Sequence, residues 1–162
     1  MSAIDKQALL QALRERVQTQ LADAKARAKE AAEGATHEEN RAESDKDMRS
    51  TEASYVARGH AELTGKLEAA LNRLSALEVK AFGPNDGIET GALVELALGS
   101  KRWLYFLVPA AGGERLPFAG REVLTLTPQS PMGTALLGLG EGDEAEVASP
   151  QGSRMYEVVS VR

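Results

Sequence analysis

From Ile4 to about Ala32, apolar side chains recur at Leu10, Leu13, Val17, Leu21, Ala24, Ala28 and Ala31, in steps of three and four. That spacing lines one face of an α-helix, and Asp5 stands where a capping carboxylate belongs. A second stripe runs through Val56, His60, Leu63, Leu67, Ala70, Leu74, Leu77 and Ala81, and neither segment contains a proline. Each stripe needs apolar cover and the other supplies it, so the pattern predicts an antiparallel helical hairpin over residues 1–81. Gly34 reads as the end of the first helix. Thr36 with Glu39 reads as a capping box that starts the second helix near Thr36. A helix of about 30 residues is roughly 45 Å long, which would put residues 33–47 at the far tip of a narrow rod. The first stripe thins to alanine toward that tip, keeping the rod slender there.

After Ala81 the period changes. "FGPNDGIETG" is rich in turn formers and reads as a linker over 82–90. Beyond it come the short runs "ALVELAL", "RWLYFLV", "EVLTLT", "EAEVAS" and "RMYEVVSV", which have the length and composition of strands. One segment breaks the series. In "SPMGTALLGLGEGDE", Ser130 suits an N-cap, Pro131 the first helical position, and Gly138 or Gly140 the end of a short helix. The expected fold is α+β: the long helical hairpin, then an antiparallel sheet domain over 91–162 with one short helix.

Composition sharpens this picture in three ways. Hydrophobic residues make up 43% of the chain but aromatics only 4%, so the core is mainly aliphatic. There is no cysteine, which excludes disulfides, thiolate metal sites and cysteine nucleophiles. The N-terminal "MSAIDKQALLQALRER" lacks the apolar run of a signal peptide, and no stretch reaches the roughly 18 apolar residues that span a bilayer. A cytoplasmic location and no membrane partner are expected. A net charge of −5 argues against independent DNA binding, since affinity for phosphates comes from Lys and Arg.

The densest acid lies at the predicted bend. "EGATHEENRAESDKDMRSTE", residues 33–52, carries seven carboxylates against three basic groups. Glu38, Glu39, Glu43, Asp45 and Asp47 are close in sequence, and Glu39 and Glu43 share a helical face. Mg²⁺ is commonly held by one or two carboxylates and otherwise by water or phosphate, so such a tip is able to complete the coordination of a metal held elsewhere. From composition alone it reads first as a solvated charged face with Lys46 and Arg49 as partners. His37 is an exposed helix-start residue or a ligand; His60, on the apolar stripe, reads as packing. Ser130 has no neighbour in sequence to activate it as a nucleophile. Phosphate-loop, dinucleotide and paired-histidine motifs are missing, so the chain has no active site of its own in its sequence. Trp103, Tyr105 and Phe106 concentrate aromatics on one strand, as sheet core or, for Trp103, as a protein-binding patch.

The acidic-tipped hairpin followed by "SPMGTALLGLGEGDEAEV…YEVVSV" resembles the GreA/GreB family of bacterial transcript-cleavage factors, over nearly the whole chain. The resemblance implies an FKBP-like sheet domain that docks on RNA polymerase, with the motif region, Ser130, Pro131, Gly138 and Asp143, as the expected contact. It implies a hairpin that enters the polymerase's secondary channel. Tip carboxylates then hold Mg²⁺ jointly with the polymerase, which cleaves backtracked RNA; contact with nascent RNA is indirect. Glu39 leads the candidates for that metal contact, with Glu38, Glu43 and Asp45 for a second acid. The chain is then an accessory factor rather than an enzyme. It departs from the family's pattern at two places: Thr36 stands where the Asp is expected before Glu39-Asn40, and after Asn40 the spacing shifts by one residue, with "NRAES" in place of the expected Asn-Ala-Glu-Tyr. The alternatives are a channel-binding regulator without cleavage, a coiled-coil adaptor, and an FKBP-like prolyl isomerase.

Overall fold

A computed structural model describes residues 4–39 and 46–162, and side chains outside 34–39 and 46–53. The chain forms two compact units, Met1–Arg14 with Arg73–Arg162, and Glu15–Asn72.

Helix α1 spans Lys6–Glu39 and α2 spans Lys46–Ala76. Asp5 caps α1 as expected, its Oδ1 accepting from the amides of Gln7 at 2.9 Å and Ala8 at 3.2 Å. In the unit 15–72 the helices lie side by side. Val17 and Ala24 are buried, Leu21, Ala28 and Ala31 half-buried, and Lys25 meets Glu68 at 3.4 Å. The first stripe therefore packs as its spacing predicts. The second is covered as predicted at His60, Leu67, Ala70 and Leu74 and differs at two positions of α2. The covered row of α2 is Ala57, His60, Thr64, Leu67 and Leu71, all half-buried, whereas Val56 and Leu63 are 51% and 44% exposed. Steps of three and four counted back from buried Leu74 reach Thr64 and Ala57 by one route and Leu63 and Val56 by the other, and the structure covers the first. Val56 and Leu63 lie about 100° around the helix from Ala57 and Thr64, on the exposed flank of the line through His60 and Leu67.

The expected helix boundary at Gly34 is overturned. Helix α1 continues through Gly34 and Thr36 to Glu39, so Thr36 and Glu39 do not box the start of the second helix. One glycine costs a helix only about 1 kcal/mol against alanine, and Ala31, Ala32 and Ala35 around it favour continuation. A capping pattern acts only where the chain actually leaves the helix. Residues 40–45, including Glu43 and Asp45, lie outside the described residues, as do the side chains of His37, Glu38 and Glu39.

The other unit is built on a six-stranded sheet in the order β3-β4-β2-β1-β6-β5. Its strands are β1 Leu93–Leu98, β2 Lys101–Leu107, β3 Arg115–Phe118, β4 Arg121–Leu126, β5 Glu144–Ser149 and β6 Gly152–Val161, with α3 Pro131–Leu136 between β4 and β5. The expected α+β fold holds, with two additions. Strand β3 contains Pro117, and because β3 is an edge strand the missing N–H costs no ladder bond. The sheet is mixed rather than antiparallel, since β2 pairs with β4 in parallel, Leu104 opposite Val123 and Leu107 opposite Leu126. The chain leaves β2, runs out to the edge as β3, and turns back at Ala119-Gly120, which sets β4 beside β2 in the same direction. Thr125, buried, ties down the crossover by donating to the Ala111 carbonyl and accepting from the Glu114 amide.

One face of the sheet gathers Val94, Leu96, Leu107, Tyr156 and Val158 with Leu136 of α3 into a core. The stretch 82–90 contributes Phe82 and Ile88 to it. Trp103 packs against the same core, edge-on to Tyr156 at 5.6 Å between ring centres. Phe106 is wholly buried. In the same unit Leu9, Leu13 and Leu74 are also wholly buried. Lys6 fastens the start of α1, its Nζ donating to the carbonyls of Gly91 at 2.9 Å and Arg162 at 3.0 Å, and to that of Lys80.

Candidate functional site

The short helix α3 organises the concave part of the sheet unit. Ser130 sits in extended conformation at its N-cap, accepting from the Gly133 amide at 3.0 Å and donating to the Thr127 carbonyl at 2.7 Å. Pro131 fills the first turn, where its missing N–H has no partner to lose. Thr134 donates back to the Pro128 carbonyl at 3.0 Å. Gly133 is required by space, since a Cβ there would stand 2.0 Å from the Thr127 oxygen. The local sequence thus draws α3 tightly onto the end of β4.

Against this helix start lies an open groove of about 630 Å³. Tyr105, Leu126, Pro131, Met132 and Val147 supply its apolar lining, and Arg115 stands at it as a cation. Burial, then repulsion from Tyr156, pushes the Tyr105 phenol up, while Arg115 pulls the other way. Tyr105 is therefore a neutral hydrogen-bonding group near pH 7. An apolar trough with a few polar groups and one cation suits a protein surface with an apolar ridge and an acidic flank. It holds a single aromatic ring, Tyr105, among its lining residues.

Of the motif residues singled out in the sequence, Ser130 and Pro131 line this groove; Gly138 and Asp143 do not. Gly138, at φ +81°, ends α3, and its amide donates to the Ile88 carbonyl at 2.9 Å while Leu139 accepts from Ile88 at 2.8 Å. Asp143 closes the next turn by accepting from the Gly140 amide at 2.8 Å. Arg115 and Met132 were not singled out by sequence. Arg115 reaches the groove only because β3 lies outside β4, an arrangement that strand periodicity does not encode. Met132 carried a signal, being the residue after a capped proline.

The acidic end of the hairpin is the second candidate. Among the described residues helix α1 extends to Glu39, so the backbone of Glu38 and Glu39 is helical. Among the described residues no group of three or more His, Asp or Glu is gathered as a metal site, and no helix is long and apolar enough to cross a membrane.

Residues 84–162 match the family described as transcription elongation factor, GreA/GreB, C-terminal. The transcription elongation factor GreA of Methylococcus capsulatus is 33% identical over 98 residues, 60% of this chain and 59% of that one. That of Hyphomonas neptunium is 62% identical over 32 residues, 20% of each chain. The chain thus spans at most about three fifths of the length of these relatives. The solved structure of the transcription factor Gfh1 aligns over 93% of this chain and 94% of its own at 25% identity, with a TM-score of 0.40. Two long helices followed by a mixed sheet with a Ser-Pro-capped helix define the class of protein. Residues 84–162 carry the C-terminal domain of the GreA/GreB family of transcription elongation factors.

Proposed function

We propose that this chain is a cytoplasmic factor that binds RNA polymerase through the groove beside Ser130 and Pro131 and presents the acidic end of its hairpin to the polymerase active site. The family match over 84–162 is the observation that carries this reading. Arg115, which also meets Glu122 at 3.5 Å, is the cation at the groove that an acidic flank would face. At the hairpin end, Glu39 contacts Mg²⁺ held jointly with the polymerase, with Glu38, Glu43 or Asp45 as the second acid. The metal would supply a Lewis acid for hydrolysis of backtracked RNA; the chain's own part is to deliver carboxylates and exclude other occupants. It is an accessory factor and not itself an enzyme.

Thr36 in place of the family's Asp favours a second reading, a channel-occupying regulator that binds without stimulating cleavage. A stalled, backtracked elongation complex from the source organism, with Mg²⁺, separates the two. RNA shortened on addition of the protein, with the effect lost by at least about tenfold in Glu39→Ala while polymerase pull-down persists, is the expected result. Binding without shortening selects the regulator. Loss of binding altogether overturns both.

A further inference from the structure

Helix α2 contains two glycines six residues apart, Gly59 and Gly65, both exposed. A Cβ at either would meet nothing within 4 Å, so close packing is not the reason for a glycine. Each weakens a helix by about fivefold relative to alanine. Between them Thr64 belongs to the covered row, and its Oγ1 is buried without a hydrogen-bond partner. A buried, unsatisfied hydroxyl works against the closed state, and a β-branched residue adds its own reluctance to be helical. Facing this segment the helix pair is open to solvent along a groove. A hollow of about 270 Å³ lies there, bounded by Gln20, Asp23, Ala24, Leu63 and Leu67 among others. Leu63, the one large apolar side chain between the two glycines, lines it and is 44% exposed.

Backbone preference, polar satisfaction and packing are independent properties, and all three are poor over the same seven residues. We infer that α2 has a built-in joint at Gly59–Gly65, where it opens off α1 locally while the turns from Leu67 to Leu74 stay packed. Local opening of this kind sets a step in amide protection along a helix, whereas ordinary end fraying sets a gradual slope. The Lys25–Glu68 pair marks the closed side of the step. The joint is a property of the free chain and does not depend on which partner the hairpin meets.

Hydrogen exchange followed by mass spectrometry on the full chain, without polymerase, tests this. Amides of residues 59–66 are expected to exchange at least about tenfold faster than those of 67–74. Gly59→Ala with Gly65→Ala should slow the 59–66 segment by about 25-fold, two factors of about five, and leave 67–74 unchanged. Thr64→Val, which keeps the shape and removes the hydroxyl, should slow the same segment. A smooth gradient along α2 with no step near residue 66 would overturn the joint. So would variants that slow all of α2 alike, since the glycines would then act only on the stability of the whole hairpin.

Discussion

Two residues carry more of the sheet unit than their size implies. The Lys6 ammonium has three N–H groups and donates to three carbonyls from separate segments, those of Lys80, Gly91 and Arg162, with the Phe82 ring 4.6 Å away. Burial, then the neighbouring Lys80, lowers its pKa to about 8 from the ordinary 10.5. Below about pH 8 the folded and unfolded chains both hold the proton; between about 8 and 10.5 only the unfolded chain does. Stability therefore rises with pH through that window. Lys80 titrates above it, its pKa raised by the hydrogen bond to Glu89. Urea midpoints at roughly pH 7.5, 9 and 10 should climb in the native protein, and Lys6→Met should flatten the climb. An equal slope in both would mean that Lys6 is not the titrating group. Gly133 is the second such residue. Gly133→Ala forces a methyl group against the Thr127 carbonyl and should cost about 3 kcal/mol in equilibrium unfolding, with the Ser130 cap lost. A sequence reading sees Gly133 only as a poor helix former; the carbonyl it must clear comes from folding.

At the scale of elements, signals that act within one turn were legible and those that depend on a distant partner were not. Asp5 and Ser130 cap helices because their side-chain oxygens accept from amides two or three residues away, and Pro131 suits the first turn because it has no N–H to leave unpaired. The stripe from Leu10 to Ala31 was readable because side chains three and four apart share a face whatever lies opposite. The α2 row was misread by one residue at Val56 and Leu63, because seam geometry set by α1 overrode their hydrophobicity. Gly34 and the Thr36–Glu39 pattern looked like a boundary, yet each is only permission to stop, and the alanine-rich chain continues. Strand β3 was missed since four residues with Pro117 make no alternating run, and the parallel β2–β4 pair leaves no mark in either strand alone. The β3–β4 turn also holds a correctable strain. Ala119 has φ +52° beside Gly120 at +77°, a left-handed pair that favours Asn-Gly. Ala119→Asn should stabilise the protein by about 0.5–1 kcal/mol, read as a higher thermal midpoint; no gain would mean that the turn relaxes around alanine without cost.

For the whole molecule, the informative boundary is not where the periodicity changes after Ala81. Residues up to Arg14 group with Arg73–Arg162, and Glu15–Asn72 forms the other unit. The bases of both helices thus belong with the sheet, through Leu9, Leu13 and Leu74, all wholly buried, and through the Lys6 hydrogen bonds. Two truncations should then behave differently. Replacing 15–72 by a short Gly-Ser linker keeps the buried leucines and should leave a cooperative thermal transition by circular dichroism. The fragment 84–162, which matches the family by sequence, discards them along with Phe82 and should melt earlier or without cooperativity. The linker protein also divides the proposed function in two. It retains the groove at Tyr105, Ser130 and Met132 and lacks every tip carboxylate. It should compete with the full chain for polymerase while failing to shorten backtracked RNA. Competition lost in a linker protein that still folds would move the dock from the groove to the hairpin.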